Sequence, residues 1–378
     1  MRRVICFAFL AALLAGCNRT GQGEPIFIGH LASLQNSEKA SFEHARQGMS
    51  LAIEELGRPQ GKAAGRQIIV LHVNADEDLE QLQASAVRLL TVNRAVALIG
   101  GQDTTQVERL TRAAQPYEAA LVTPIMIAPY LTTDNLFSLE PSPVRVAKAV
   151  GRWLKETAKQ ETMAFVFDSR SRVASDLGAA LRAESQRGEG SRLVEMPFAA
   201  SPKFGELAQA ILQSKAGAWF FYGKSSDWSE LRRALREAKA KLPCLLCDSV
   251  GPVESLPSSG DADGALYQLT TYLAPEQEKT ASAFQTSYSK RFHSEADIYA
   301  AQGYDAVRLI ADAVVSGKLN AAGKPLVDLA TFIKNPFASS TGPLYFDQAD
   351  HSANRTLFLV QRTEKALRLV FKIEASQP

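Results

Sequence analysis

From residue 26 onward, short apolar runs alternate with amphipathic segments, and this alternation constrains the possible fold more than any other feature of the chain. The apolar runs are not interrupted by polar residues, which is typical of strands buried on both faces. The segments between them repeat apolar residues every three or four positions, as at 79–91 and 144–157, which predicts helices with one apolar face. Strands that alternate with helices predict parallel sheets covered by helices on both sides.

The alternation runs through two series. The first contains predicted strands at 26–29, 67–73, 96–101 and 120–124. The second contains predicted strands at 163–167, 192–195, 218–222 and 244–247. Strands at 343–347, 357–361 and 367–373 close the chain, the last two as a hairpin. The expected fold class is therefore α/β, with two doubly wound parallel-sheet lobes. The length of 378 residues agrees with two lobes rather than one core.

The N-terminal segment has the pattern of a secretory signal. Arg2 and Arg3 precede an apolar run over 4–14, which leads into Leu14-Ala15-Gly16-Cys17. A basic start, a short apolar core and a cleavage site of small residues predict a signal peptide over 1–16 rather than a membrane span. The cleavage site resembles the lipobox of bacterial lipoproteins, which implies that Cys17 is lipidated and that 17–24 forms a tether. An ordinary signal with a cysteine at its cleavage site is the alternative.

The charge balance gives no reason to expect a nucleic-acid partner. The chain has 42 Lys and Arg against 40 Asp and Glu, and two of the arginines belong to the predicted signal. Cys244 and Cys247 lie in a predicted buried strand, where residues three apart point to opposite faces about 10 Å from each other. That distance exceeds the reach of a disulfide, and no second Cys or His pair completes a zinc site. Two inert core thiols are therefore predicted.

The search for catalytic motifs is negative. The sequence contains no GxSxG, Walker or HExxH motif, and its five histidines have no metal-ligand spacing. We therefore expect no enzyme activity, no catalytic residues, no metal and no cofactor, and we expect the histidines to be surface residues.

Polar residues after the predicted strands indicate binding instead, because ligands of open α/β sheets lie beyond the carboxyl ends of the strands. Gly100 and Gly101 permit close backbone approach, and Thr104 or Thr105 is expected to cap the following helix. The N-terminus of that helix suits a carboxylate or another acceptor. An ordinary helix cap is the alternative interpretation, and the sequence does not decide between them. Asp168-Ser169-Arg170 and Asp248-Ser249 follow strands of the second series.

Five segments carry a family resemblance: 47–56, 65–70, 123–132, 302–307 and 341–347. In this order they resemble the type I periplasmic binding proteins, specifically the leucine/isoleucine/valine-binding group that serves ABC importers. The resemblance implies two lobes joined by three crossings near 142, 272 and 338. It implies an N-terminal lobe of 25–142 plus 273–338 and a C-terminal lobe of 143–272 plus 339–378. A small-molecule ligand would bind between the lobes, and closure would present a surface to a permease.

The resemblance also implies which residues contact the ligand: Gln102, Asp103, Thr104, Thr105, Ile125, Met126, Ile127, Arg170 and Asp248. Relatives hold a ligand carboxylate at the loop that corresponds to Asp103–Thr105, and they often hold an ammonium with an acid that corresponds to Asp248. They have Ala-Ala-Thr where this chain has Ile125–Ile127, so a hydroxyl is lost and the wall is apolar. Leucine itself, a ligand with an apolar group, a shrunken cleft and plain core packing of Ile125–Ile127 all stay open.

The function expected from the resemblance is a lipid-anchored, periplasmic solute-binding protein. It would deliver an amino acid, an amide or a more apolar metabolite to ABC permease subunits. Two alternatives use the same fold: an outer-membrane lipoprotein that activates cell-wall synthases, and a ligand sensor for a signalling receptor. Asn18 after Cys17 is not the Asp that retains lipoproteins in the inner membrane of enteric bacteria, which mildly favours an outer-membrane address.

Overall fold

The computed structural model describes most of the chain after the predicted signal. The described residues are 24–33, 39–58, 66–75, 78–127, 129–131, 133–187, 192–199, 202–257, 264–274, 281–320, 323–364 and 366–376. The predicted signal peptide and Cys17 lie outside these residues, so both stay predictions. A search of the described residues finds no helix that is long and apolar enough to cross a membrane.

The first sheet has five parallel strands in the order β2-β1-β3-β4-β5. Their bounds are β1 Ile26–Ala32, β2 Ile68–Asn74, β3 Ala97–Gly100, β4 Ala120–Thr123 and β5 Leu136–Ser138. Every residue of β3 and β4 is buried, as the uninterrupted apolar runs predict for strands covered on both faces. The short strand β5 was not predicted from the sequence.

Helices cover both faces of this sheet. The bounds of the first three are α1 Lys39–Leu56, α2 Leu79–Thr91 and α3 Thr104–Ala114. Side chains of α2 and α3 pack with Leu98 and Leu121 on one face, whereas α1 packs with Ile99 and Val122 on the other. The period of two along each strand thus divides its side chains between two apolar clusters.

The second sheet begins with five parallel strands. Their bounds are β6 Thr162–Asp168, β7 Arg192–Phe198, β8 Ala218–Tyr222, β9 Cys244–Cys247 and β10 Leu266–Thr270. The helices between the two sheets and within this series are α4 Pro143–Arg152, α5 Arg172–Arg187, α6 Phe204–Gln213 and α7 Ser225–Glu237. The continuous helix predicted over 144–157 is wrong in one respect, because α4 ends at Arg152 and a π-helical turn follows over Trp153–Ala158.

After β10 the chain returns to the first sheet. The next helices are α8 Ser282–Phe292 and α9 Ile298–Ala313, both of which contribute to the apolar cluster over α1. Glycines let α9 and α1 approach closely: a Cβ at Gly48 would lie 2.0 Å from the carbonyl oxygen of Ala300, and one at Gly303 would lie 2.2 Å from that of Ala45. The Gln-Gly pairs in two of the resembling segments therefore have a packing role.

Small elements lead back to the second sheet. Their bounds are β11 Val314–Leu319, β12 Pro325–Val327, α10 Thr331–Lys334, β13 Phe337–Ser339, β14 Gly342–Phe346 and β15 Ala353–Arg355. The predicted hairpin is present as β16 Leu357–Arg362 and β17 Leu367–Ile373. It completes a seven-stranded sheet in the order β17-β16-β10-β9-β8-β6-β7, in which β16 is antiparallel to β10. The chain thus passes between the two sheets three times, while the bounds given above for each lobe stay predictions.

A buried ion pair joins α9 to the segment that makes the third passage between the sheets. Arg355 Nη2 lies 3.0 Å from Asp305 Oδ2, and both side chains are fully buried. Ser340 donates to Asp305 from its backbone nitrogen at 2.6 Å and from its hydroxyl at 2.9 Å. Arg355 Nη2 also donates to Thr341 Oγ1 at 2.6 Å. Such a pair holds its two segments together because separating the partners leaves a charge without compensation in the interior.

The histidines differ from the expectation that they lie on the surface. His30 is buried, and its Nδ1 lies 2.8 Å from Nδ1 of His72 on the neighbouring strand. The ring of His30 also stacks on Phe42 of α1. Strands β1 and β2 place the two histidines at the same register, so each supplies the partner that a buried imidazole needs. The prediction is therefore wrong for His30.

Candidate functional site

Residues that follow the carboxyl ends of the two sheets contact each other. Tyr130 follows β4, and the guanidinium carbon of Arg172, at the start of α5, lies 4.8 Å from the centre of its ring. The Tyr130 hydroxyl donates to Glu108 of α3 at 2.8 Å. Glu140 follows β5 and accepts from the hydroxyl of Thr271, which follows β10, at 3.5 Å. The strand ends of the two sheets therefore face each other across a candidate cleft.

The loop between β3 and α3 forms one side of this cleft. Gly101 has a φ of +90°, and a Cβ there would lie 2.5 Å from Val107, so the turn requires glycine. The cap of α3 is Asp103, whose Oδ1 accepts from the backbone nitrogen of Gln106 at 2.9 Å. The expectation that Thr104 or Thr105 caps this helix is wrong, because both residues lie inside its first turn and Asp103 holds the extended conformation of a cap.

The segment Ile125–Ile127 supplies an apolar wall. Met126 and Ile127 are buried and belong to the same apolar cluster as Phe167 and Val173, which lie on the second sheet and on α5. Ile125 is half-buried and packs against that cluster. Met126 and Ile127 are thus packed in the interior, as one of the two interpretations expects, and Ile125 keeps exposed surface.

Arg170 lies just beyond the carboxyl end of β6 and is already hydrogen-bonded there. It donates to Asp168 with Nε at 2.9 Å and with Nη2 at 2.6 Å, and its backbone nitrogen donates to the same carboxylate at 2.9 Å. These hydrogen bonds lower the pKa of Asp168. The exposed guanidinium is therefore occupied by a neighbour two positions away, in the bidentate geometry that suits arginine and carboxylate.

Two carboxyl groups lie at the base of the cleft, on either side of Thr271. The Thr271 backbone nitrogen donates to Asp248 Oδ2 at 3.0 Å, and its hydroxyl donates to Glu140 Oε1. Gln268 Nε2 donates to Asp248 Oδ1 at 2.8 Å, and Gln302 Nε2 donates to Glu140 Oε1 at 2.6 Å. All of these donors are neutral, so the hydrogen bonds satisfy the oxygen atoms without supplying a positive charge.

Burial and mutual repulsion shift the titration of this pair. Burial raises the pKa of Glu140 well above its usual value, and the neighbouring Asp248 adds to that rise. Burial also raises the pKa of Asp248 to about 6. Arg355 opposes both shifts, although its hydrogen bonds go to Asp305 and Thr341. The pair therefore favours retaining a proton, as two carboxyls that share a poorly solvated place do.

Two further groups border the pair. Tyr222 ends β8, and burial raises the pKa of its hydroxyl, with Cys247 and Glu140 contributing. Cys247 ends β9, is buried and free, and burial raises the pKa of its thiol to about 12. Cys244 is also buried and free, and it packs in the cluster on the opposite face of the sheet. Both thiols thus match the sequence prediction of core cysteines.

The structure brings the predicted site residues to two places rather than one. Gln102–Thr105 and Ile125–Ile127 follow the carboxyl ends of strands of the first sheet, whereas Arg170 and Asp248 follow those of the second. Sequence reasoning missed Glu140, which shares Thr271 with Asp248. The signal that could have found it is an acid followed by Pro141 after a short apolar run, but that run was not recognised as a strand. Within the described residues, no group of three or more His, Cys, Asp and Glu side chains is arranged to hold a metal.

Two α/β sheets with facing strand ends and a polar base between them define a two-lobed binding protein of the type I periplasmic fold. The chain belongs to the periplasmic binding protein family, whose model matches residues 25–366. No curated protein matches the sequence.

Solved structures show the same fold at low sequence identity. The branched-chain amino acid transporter substrate-binding protein LivJ from Streptococcus pneumoniae, in complex with isoleucine, has a TM-score of 0.75 and 20% identity over 92% of this chain and 100% of its own. The leucine-binding protein LivK from Thermotoga maritima has a TM-score of 0.77 and 16% identity over 92% and 99%. An ABC transporter solute-binding protein from R. palustris, in complex with benzoate, has a TM-score of 0.75 and 17% identity over 94% and 98%.

Proposed function

We propose that this chain is a periplasmic solute-binding protein of an ABC importer and that it performs no chemistry. The observation that carries the proposal is the polar base between the facing strand ends, where Glu140, Thr271 and Asp248 connect the two sheets beside the passages of the chain. A solute bound there contacts both lobes, so it favours the closed arrangement, which a permease can distinguish from the open one. The lobes would be 25–142 plus 273–338 and 143–272 plus 339–378.

Relatives of this fold bind chemically different solutes, which supports a small organic ligand without fixing its identity. The structures named above contain isoleucine and benzoate. In this chain Asp248 would contact a polar group of the ligand, and Ile125 would contact an apolar one. Amino acids, amides and more apolar metabolites all fit these two contacts.

Thermal melting of the fragment from Asn18 onward tests the proposal. The panel contains amino acids, amides, aromatic acids and amines. A ligand present at 100 times its dissociation constant adds about 2.7 kcal/mol to the free energy of unfolding, which raises the melting temperature by several degrees. The proposal predicts such a shift for at least one class, and isothermal titration calorimetry then gives the affinity. A panel without any shift contradicts the solute-binding role.

The anchor is a separate part of the proposal. Lipidation of Cys17 would hold the protein at a membrane after removal of residues 1–16. We expect Cys17→Ser to move the protein from the membrane fraction to the soluble fraction, with Cys244→Ser as a matched control that stays membrane-bound. Membrane retention of Cys17→Ser contradicts the lipoprotein assignment while leaving the solute-binding proposal intact.

One observation favours a second function, that of an interaction module whose cleft holds no solute. Met126 and Ile127 pack in an apolar cluster that joins the two lobes, so part of the cleft wall is already filled by the protein itself. Such a protein would act on a partner at the membrane, as a cell-wall synthase activator or a receptor-bound sensor. The panel above distinguishes the two functions, because only the solute-binding protein is stabilised by a small molecule.

A further inference from the structure

The chain enters the fold at the amino edge of the first sheet, opposite the carboxyl edge that faces the cleft. Glu24 precedes β1, and its carbonyl oxygen accepts from Arg66 Nε at 2.7 Å, which holds the entry point beside the start of β2. Glu24 lies seven positions after Cys17, so the two residues can be at most about 25 Å apart. If Cys17 carries a lipid, this edge of the sheet therefore stays close to the membrane.

The same edge carries the most exposed large apolar side chains of the described residues. Val92 follows α2 and is 69% exposed, and Leu319 ends β11 and is 64% exposed. The hairpin of β11 and β12 is joined to this end of α2 by Lys324, whose Nζ donates to the carbonyl oxygens of Leu90 and Ala95. The two apolar side chains thus stand on adjoining segments, where a partner or a bilayer interface could cover both.

Exposed bases flank these apolar side chains. Arg94 lies two positions after Val92, and Lys318 directly precedes Leu319. Both bases are exposed, whereas Glu118 is an exposed acid of the same edge. A base beside an apolar side chain suits the interface of an anionic bilayer, because the apolar group enters the headgroup region while the base contacts phosphate.

The amino edge of the second sheet has bases without the other two features. Lys215 follows α6 and Lys239 follows α7, and both are exposed. Bases are common after helices because they complement the negative end of the helix dipole. Among the described residues, however, that edge exposes no large apolar side chain, and the chain enters the fold at the other sheet. The combination of entry point, apolar side chains and bases therefore distinguishes the first sheet.

We propose, building on the lipid anchor proposed above for Cys17, that the amino edge of the first sheet docks on a bilayer that contains anionic phospholipid. Val92 and Leu319 enter the headgroup region, and Arg94 and Lys318 contact phosphate groups. Because the cleft lies beyond the carboxyl edge of the same sheet, docking keeps the cleft clear of the bilayer and open to solutes.

Co-sedimentation with lipid vesicles tests this surface apart from the anchor. The protein is the fragment from Asn18 onward, which lacks Cys17 and contains every described residue. Vesicles of phosphatidylcholine are compared with vesicles of equal parts phosphatidylcholine and phosphatidylglycerol at low ionic strength. We expect the partition coefficient to be about tenfold or more larger on the anionic vesicles and to fall as salt is added. Equal partition on the two lipids, or no binding to either, overturns the inference.

Charge variants locate the surface. The double variant Arg94→Asn with Lys318→Gln should lower the partition coefficient on anionic vesicles by about tenfold or more. The matched control is Lys215→Asn with Lys239→Asn, which removes the same charge at the amino edge of the second sheet and should leave the coefficient unchanged. Arg94, Lys215 and Lys239 have positive φ values, which asparagine tolerates. Equal losses in the two double variants would mean that net charge binds the lipid, which overturns the inference.

Apolar variants give an independent readout at constant charge. Val92→Ser with Leu319→Ser should lower the partition coefficient by about tenfold, because less apolar surface enters the bilayer. Val144→Ser, which changes an exposed apolar residue at the start of α4, is the control that should bind as the wild type does. Undiminished binding by the double variant contradicts the inference. Failure of the docking surface leaves the anchor and the solute-binding role standing, because the vesicle assays use unlipidated protein and Cys17→Ser tests the anchor separately.

Discussion

Asp305 and the Glu140–Asp248 pair are both buried carboxyl sites beside passages of the chain between the sheets, but they differ in what faces them. Asp305 faces a guanidinium, with Arg355 Nη2 3.0 Å from Oδ2. Glu140 and Asp248 lie on either side of Thr271, and the hydrogen bonds that they receive from described residues come from neutral groups. The first site has the charge compensation that a buried carboxylate needs for stability, whereas the second lacks it.

This difference indicates what each site does. Burial raises the pKa of Asp305 as well, but Arg355 and both Ser340 hydrogen bonds oppose that rise. At Glu140 the charge of Arg355 also opposes the rise, but its hydrogen bonds go to Asp305 and Thr341, and the neighbouring Asp248 adds to the rise. A protein that only needed to join its passages could use the first arrangement twice. The raised pKa values of the uncompensated pair cost stability at neutral pH, whereas the pair of Asp305 and Arg355 joins its two segments with opposite charges.

The largest effect is expected from breaking the compensated pair. Arg355→Met leaves the Asp305 carboxylate buried without a cation, so the free energy of unfolding should fall by about 3–5 kcal/mol. Urea denaturation measures the loss. The control is Arg46→Met, because Arg46 forms an exposed pair with Glu43 at 2.7 Å and should contribute about 1 kcal/mol or less. Equal losses in the two variants would mean that burial does not distinguish these pairs.

The uncompensated pair should respond to pH instead. The pKa of Asp248 is raised from 3.8 to about 6, so its contribution to stability is fully present below pH 3.8 and is lost as the pH rises through about 6. We expect the unfolding free energy of the wild type, minus that of Asp248→Asn, to be larger at pH 5 than at pH 7. The change is at most about 1.4 kcal/mol per pH unit. A difference that rises with pH would show that the folded protein holds Asp248 as a compensated carboxylate.

His30 provides a contrast to the carboxyl pair, because burial lowers the pKa of a histidine whereas it raises the pKa of a carboxyl group. Burial lowers the pKa of His30 from 6.5 to about 3, and His72 adds to the shift. Stability from this neutral imidazole is present above pH 6.5 and is lost as the pH falls below that value. We therefore expect the wild type, relative to His30→Asn, to lose stability between pH 6.5 and pH 5 by up to about 1.4 kcal/mol per pH unit.

The matched control is His293→Asn, which changes an exposed histidine with a positive φ that asparagine tolerates. As a surface substitution, it should change the free energy of unfolding at neutral pH by about 0.5 kcal/mol or less. Parallel pH profiles for the wild type and His30→Asn would mean that folding does not change the pKa of His30. In the wild type, the effects of Asp248 and His30 on the free energy of unfolding have opposite signs over an overlapping pH range and partly cancel. Only the variants therefore reveal each effect.

Most of the fold could be predicted from the sequence because its signals are local. The buried strands β3 and β4 appear as uninterrupted apolar runs, and the stripe over 79–91 becomes α2. The strand β5 was missed because it has only three residues, too few to show a pattern. The buried His30 was also missed, because its partner His72 lies 42 positions away and only the strand register joins them.

The candidate site could be predicted only in part. Asp248 was found because an acid at the end of a predicted strand is a local signal. Glu140 was not found, since its partners Thr271 and Gln302 lie 131 and 162 positions away and the three meet only after the chain has passed between the sheets. The cap of α3 was assigned to a threonine because Asp103 and both threonines suit a cap, and the backbone conformation decides among them.

The smallest effect is expected at Cys247, which lies beside the carboxyl pair and reports on it. Burial is the largest cause of its raised pKa, and the charges of Asp248 and Glu140 contribute less. In a Cys244→Ser background, the native thiol should therefore resist alkylation until the protein is unfolded. Asp248→Asn should change the native alkylation rate by less than about tenfold, which corresponds to one pKa unit. A larger change would mean that the charge of the carboxyl pair, rather than exclusion of water, controls the reactivity of the Cys247 thiol. The pair would then be ionised in the folded protein.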